Sequence, residues 1–166
     1  MEKILISACL AGDLVRYDGK RKPFDHVMIR EWEDRGMLVR FCPEVAGGLA
    51  TPRPPAEIIN GNGGDVLGKK ARILTSTGKD VSSQFIRGAL LALELIRVHK
   101  IKIAILKEKS PSCGTGYIYD GTFKKKLVPG MGVTATLLKK NGVIVFPETE
   151  IEAVKSFANI NFKHNF

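Results

Sequence analysis

Ile4-Leu5-Ile6-Ser7-Ala8-Cys9 opens the chain with an apolar run that shows no polar alternation and then runs into a cysteine. A strand with one face in water alternates apolar and polar residues, whereas a strand buried on both faces does not. Runs of the same kind, rich in Ile, Val and Leu, recur at Leu38–Phe41, Arg72–Thr75, Ile103–Leu106 and Val143–Phe146. Between several of them the apolar spacing changes to that of a helix. Asp80 is placed to cap a helix reaching about Val98, with Val81, Phe85, Ala89, Leu93 and Ile96 on one stripe. Gly132–Lys140 reads as a shorter helix ended by Asn141-Gly142, and Thr149-Glu150-Ile151-Glu152 as a capping box that opens a terminal one. Pro23–Arg35, carrying Phe24, Val27, Met28 and Trp32, is a further candidate.

Strands alternating with helices predict the α/β class. The expected architecture is one domain over residues 1–166, a three-layer α/β/α sandwich around a mainly parallel sheet, flavodoxin-like or Rossmann-like. Strand order is not legible. Two stretches depart from the pattern. Ala46–Asp65, rich in Gly and Pro, reads as a long irregular loop, and such loops often serve function. Tyr117–Phe123 holds Asp120-Gly121 between β-prone flanks, which signals a hairpin.

With 166 residues, 44% hydrophobic and 26% charged, the chain can bury an ordinary core. No apolar run approaches the roughly 20 residues that span a bilayer, and the start lacks a secretory pattern. No membrane role is expected, and the cytoplasm is the default compartment. The formal charge of +9 invites a nucleic-acid reading, but the lysines are scattered and have no aromatic residues interleaved with them. A basic RNA-binding module is therefore the lesser alternative to a small anionic or neutral substrate. A monomer or a weak homo-oligomer is expected.

The three cysteines are too few, and odd in number, for a disulfide framework. Each follows a predicted strand: Cys9 after the first, Cys42 directly after Phe41, and Cys113 in the loop after Ile103–Leu106. Parallel strands end at one edge, where α/β folds place their ligands. Cys9 and Cys113 run into glycine-containing turns, which let backbone approach a bulky ligand, and Cys42 runs into Pro43-Glu44. Three inert buried thiols would satisfy the same residues. So would a zinc or redox-thiol protein. No Cys-x-x-Cys pair is present and the histidines share no motif, so a closed structural zinc site lacks ligands. Three thiolates without a fourth ligand suit an iron–sulfur centre with one open iron, although thiolates also bind zinc.

At these residues the chain resembles the bacterial thiouracil desulfidase-like family, once catalogued as a domain of unknown function. The resemblance rests on Ser7-Ala8-Cys9-Leu10-Ala11-Gly12, Val15-Arg16-Tyr17-Asp18-Gly19 and Cys42-Pro43-Glu44. It continues through Pro52-Arg53-Pro54-Pro55-Ala56-Glu57, Lys109-Ser110-Pro111-Ser112-Cys113-Gly114 and Gly130-Met131-Gly132-Val133-Thr134-Ala135, covering roughly residues 3–146. It implies a 4Fe–4S cluster on Cys9, Cys42 and Cys113, which air can strip from the protein. It further implies hydrolytic removal of sulfur from a thiolated nucleobase or nucleoside such as 2-thiouracil. Glu44 matches the acid/base carboxylate and Ser110 is the preferred match for the assisting serine, with Ser112 the other choice. Arg16, Ser112 and Gly114 are expected on the substrate side. For Arg16 a surface turn built with Asp18-Gly19 is an equal alternative. Arg53 is left open between pairing with Glu57 and balancing cluster charge, and Tyr117 and Tyr119 are read as hairpin packing in preference to a flap.

Overall fold

The structure, a computed structural model, describes residues 2–20 and 24–162. Its first half runs β1 (Ile4–Ser7), α1 (Val27–Asp34), β2 (Leu38–Phe41), α2 (Pro43–Ala46), β3 (Ala56–Ile59), α3 (Gly63–Leu67) and β4 (Arg72–Thr75). There follow α4 (Ser82–His99), β5 (Ile103–Leu106), β6 (Tyr117–Tyr119), β7 (Leu127–Pro129), α5 (Val133–Lys140), β8 (Ile144–Pro147) and α6 (Ile151–Phe162).

Four strands form a parallel sheet in the order β2-β1-β5-β8. Ile4 and Ile6 of β1, with Ile103 and Ile105 of β5, pack on Ile29 and Trp32 of α1 and on Ile151, Val154 and Ala158 of α6. The intervening Leu5, Ala104 and Leu106 face the other way, onto Ala92, Leu93 and Ile96 of α4 and Ala135 and Leu138 of α5. Helices thus cover both faces, giving the expected three layers. Successive side chains of a strand alternate between faces, so a strand between two apolar layers needs apolar residues at every position. Each such side chain, fully buried, contributes about 1.5–3 kcal/mol.

The expectation for Arg72–Thr75 is corrected. β4 pairs antiparallel with β3, Ile58 opposite Ile73, in a separate two-stranded sheet. The stretch read as an irregular loop therefore contains a strand and the start of α3. Ile58 and Ile73 are buried with Val81, Phe85, Ala89, Ile118 and Val133 in a third apolar cluster. The hairpin is wider than a two-residue Asp-Gly turn: β6 pairs with β7 across residues 120–126. Asp120 Oδ1 accepts from the Thr122 N–H (3.0 Å) and hydroxyl (2.6 Å), and this local turn delays the return strand.

The helix read from Asp80 begins at Ser82, with Val81 in the cap position. Asp80 still accepts the Ser82 N–H at 2.9 Å, one residue earlier than a standard cap. All five residues of its predicted stripe are buried. α1 starts at Val27 behind His26, whose Nδ1 accepts the Met28 N–H at 3.2 Å; Pro23 lies outside the described residues. The last strand sits one residue later than expected, and α6 follows a 3-10 turn over Glu148–Glu150. Among the described residues no helix is long and apolar enough to cross a membrane.

One close contact sets the position of α2. A Cβ on Gly88 of α4 would lie 1.9 Å from the Pro43 carbonyl oxygen, so the two backbones meet where a side chain has no room. Gly88→Ala should cost about 1–3 kcal/mol by overpacking, despite alanine's better helix propensity. Urea unfolding measures it. A gain in stability would show that α2 yields freely and is not held by this contact.

Candidate metal centre

In the sheet order the chain leaves β1 for β2 on one side and later returns to β5 on the other. That reversal opens a crevice at the strand ends, where open α/β sheets bind ligands. Cys9 lies in the turn after β1, in which the Leu10 N–H bonds the Ser7 carbonyl at 2.9 Å. Cys42 directly follows β2 and caps α2, its carbonyl accepting the Ala46 N–H at 3.0 Å. Cys113 follows β5 in a loop held by Ser110, whose Oγ accepts the N–H groups of Ser112 (3.1 Å) and Cys113 (3.0 Å). All three are free thiols on the wall of one cleft of about 820 Å³, together with Ser7, Arg16, Glu44, Arg53, Lys107 and Ser110.

Crowding and burial disfavour ionisation of these thiols. Burial pushes Cys9 up to about 11, with Cys42 and Glu44 adding repulsion while Lys107 and Arg16 oppose it. Burial likewise raises Cys42, against the N–H groups of Val45 and Glu44, which face its sulfur. Cys113 is the most buried and is pushed furthest up, against a hydrogen bond from the Ser7 hydroxyl. Such a trio binds as thiolates once a cationic centre compensates the charge, because metal binding releases their protons. Among the described residues no three His, Cys, Asp or Glu side chains gather tightly enough to hold a single ion. By donor chemistry, three soft sulfurs on one cleft wall fit an iron–sulfur centre as well as zinc.

The Cys113 loop is braced from behind by the first turn of α5. The N–H of Val133 bonds the Pro111 carbonyl at 2.9 Å, and those of Thr134 and Ala135 bond the Ser112 carbonyl at 2.9 and 3.2 Å. Helix N–H groups that otherwise lack partners thereby hold the loop. A Cβ on Gly132 would lie 2.4 Å from the Ser112 oxygen, which explains the Gly130–Ala135 stretch as a buttress. Two residues expected on the substrate side are placed away from this cleft wall. Ser112 is fully buried, its Oγ 2.8 Å from Thr134 Oγ1, and Gly114 packs against Ser110, Tyr117 and Ile118; neither lines the cleft. In so tight a turn Ser110 faces the cleft while Ser112 faces α5.

Arg16 does line the cleft, with its guanidinium bonded through Nε and Nη2 to Asp18 at 3.2 and 3.1 Å. Arg53 pairs with Glu44 at 2.9 Å and not with Glu57, and its other bonds go to the carbonyls of Val15 and Ala50 and to Thr51. Only 7% of the Arg53 side chain is exposed and both of its terminal nitrogens are bonded, so Glu44 is fixed by a well-held partner. Glu57 accepts the Phe123 N–H at 3.1 Å and ties the hairpin tip to β3. Tyr119 reaches the cleft and Tyr117 does not.

Sequence reasoning missed Lys107, Glu108 and Glu148. Lys107 pairs with Glu148, and both Lys107 and Glu108 line the cleft. Burial alone would raise the Glu108 carboxyl, but the Thr115 hydroxyl and the N–H groups of Tyr117, Gly116 and Lys109 hold it below the usual range. It thus gathers the chain between the Cys113 loop and β6. The available signal was a Lys-Glu pair placed directly after an apolar strand, at the same rim as the cysteines.

The model of the 2-thiouracil desulfurase family matches residues 4–150. YbbK of Bacillus subtilis (strain 168), described as an uncharacterized protein, is 45% identical over 151 residues, covering 91% of this chain and 99% of its own. The solved structure of the [4Fe-4S]-dependent thiouracil desulfidase TudS superposes with a TM-score of 0.88 at 42% identity, covering 96% of this chain and 99% of that one.

The two serines should separate by stability. Ser112→Ala strands the buried Thr134 hydroxyl and should cost about 1–3 kcal/mol, while Ser110→Ala removes one exposed-side acceptor and should cost about 1 kcal/mol. Denaturant midpoints of both variants check this. A larger loss for Ser110→Ala would contradict the assigned placement.

Proposed function

Since the chain belongs to the 2-thiouracil desulfurase family, we propose that it hydrolyses the C–S bond of a small thiolated pyrimidine, with Cys9, Cys42 and Cys113 holding a 4Fe–4S cluster. The observation that carries this reading is the convergence of three separated thiols on one cleft beside an anchored carboxylate. The balance is C=S plus water giving C=O plus H₂S, with no net electron transfer. When bound, the cluster supplies a soft Lewis acid with one iron not ligated by the protein.

The chain's own groups supply the rest. Glu44 takes a proton from the attacking water or moves one to a ring nitrogen. Arg53 keeps the Glu44 carboxylate from turning away. Ser110 Oγ already accepts two N–H groups, which leaves its own proton to donate to the substrate. Arg16 and Tyr17 stand on the wall where the rest of the base enters.

The test is anaerobic reconstitution followed by sulfide release from 2-thiouracil and other thiolated pyrimidines and nucleosides. The protein should turn brown, carry iron and acid-labile sulfide, and release sulfide with formation of the oxo base. Alanine at Cys9, Cys42 or Cys113 should abolish iron retention. Glu44→Gln should retain iron but slow turnover by about 10²–10⁴-fold. A colourless wild-type protein that takes up zinc alone, or only oxidises its thiols, would replace this reading with the zinc or redox-thiol one.

A further inference from the structure

Lys107 stands at the junction of the thiol cradle, where two hydrogen bonds hold it. Its side chain lines the cleft and its ammonium pairs with Glu148, itself only 10% exposed and also bonded to the Glu108 N–H at 2.8 Å. Its backbone N–H donates to Ser7 Oγ at 3.0 Å, and Ser7 is 3% exposed. The Ser7 oxygen accepts that N–H, which leaves its own proton to turn toward the Cys113 thiol, whose pKa the Ser7 hydroxyl holds down against burial. The ammonium also acts electrostatically on Cys9, opposing Cys42 and Glu44.

We propose that Lys107 is a positioning residue of the cysteine cradle: its ammonium, steered by Glu148, balances charge beside Cys9, and its backbone N–H sets the Ser7 hydroxyl against Cys113. One residue at the end of β5 thereby supports two of the three cluster ligands by two independent routes. Lys79, Lys109 and Lys125 also line the cleft, and Arg16 opposes the rise at Cys9 less strongly than Lys107 does. Arg53 spends its bonds on Glu44 and on its own loop, and Arg16 is paired with Asp18. Three thiolates gathered in a half-buried site repel one another, so a fixed ammonium lowers the cost of assembling them. Partners behind the ligands tune both affinity and reduction potential. The inference rests on the cluster reading above.

The experiment compares wild-type, Lys107→Met, Lys107→Arg, Glu148→Gln and Ser7→Ala proteins after anaerobic reconstitution. It reads the rate of iron loss to a chelator and the cluster reduction potential, with circular dichroism to confirm folding. Lys107→Met should lose iron about tenfold faster or more and show a lower potential, because a positive charge that favours reduction is gone. Lys107→Arg should lie close to wild type, and Glu148→Gln, which removes the negative charge behind the ammonium, should shift the potential upward. Ser7→Ala should also lower the potential, by a route that adds to that of Lys107→Met in the double variant.

Wild-type rates and potential in Lys107→Met would overturn the proposal, and so would equal impairment of Lys107→Met and Lys107→Arg, which would mean packing and not charge. Should Lys107→Met fail to fold, Glu148→Gln decides: no change in its potential or iron loss overturns the proposal. A wild-type protein that takes up no iron and sulfide would overturn the cluster reading itself, a result distinct from the others.

Discussion

In the sheet register Ile4 stands opposite both Leu38 and Ile103, and all three strands run the same way. Parallel pairing compels β1, β2 and β5 to finish at one rim, so residues as far apart as Cys9, Cys42 and Cys113 meet without any local motif. The constraint is upheld by apolar layers on both faces, since Leu5, Ala104 and Leu106 are claimed by one set of helices and Ile4, Ile6, Ile103 and Ile105 by the other. A slip of one residue in β1 would exchange these sets and turn the strand ends against the wrong helices. The same helices then hold the loops beyond the strands. α4 admits α2 at Gly88, and α5 receives the Cys113 loop on its first-turn N–H groups.

The electrostatics of the cleft follow from how its charges are tethered. Glu44 presents a carboxylate with Arg53 at its back, and Lys107 presents an ammonium with Glu148 at its back. Cys9 feels both, Glu44 raising its pKa and Lys107 lowering it. Each inward group is held by a buried or nearly buried partner, so the polar wall is organised before any ligand arrives. Preorganised charge of this kind needs little rearrangement during reaction, which is the usual advantage of a polar site over water.

What was legible in the sequence was what depends on short range and on period. β1 and β5 were readable because burial on both faces leaves an unbroken apolar run, and the stripe of α4 because its spacing is helical. The placement of the cysteines at one rim was readable because Cys9 and Cys42 come soon after such runs and Cys113 lies in the loop beyond another. β4 carries a similar run yet belongs to another sheet, and its partner β3 was hidden because it carries Glu57 and follows a Gly- and Pro-rich stretch. Ser112 was assigned to the cleft because a motif records order and not direction; in the loop it faces Thr134 instead. The Lys107–Glu148 pair spans 41 residues, and nothing in the chain announces that β8 lies beside β5. Placement alone left the trio undecided between iron–sulfur and zinc, and the [4Fe-4S] dependence of the TudS neighbour is what turns the proposal toward iron–sulfur.

The central claim is that Cys9, Cys42 and Cys113 share one polynuclear iron centre. Anomalous scattering at the iron absorption edge, from crystals grown without oxygen, tests it most directly. The account predicts one dense iron peak in the cleft, of four-iron strength, within bonding distance of the three sulfurs and with one side facing the open space beside Glu44. A single-metal peak with an additional protein ligand, a disulfide between two of these cysteines, or iron bound elsewhere would contradict it.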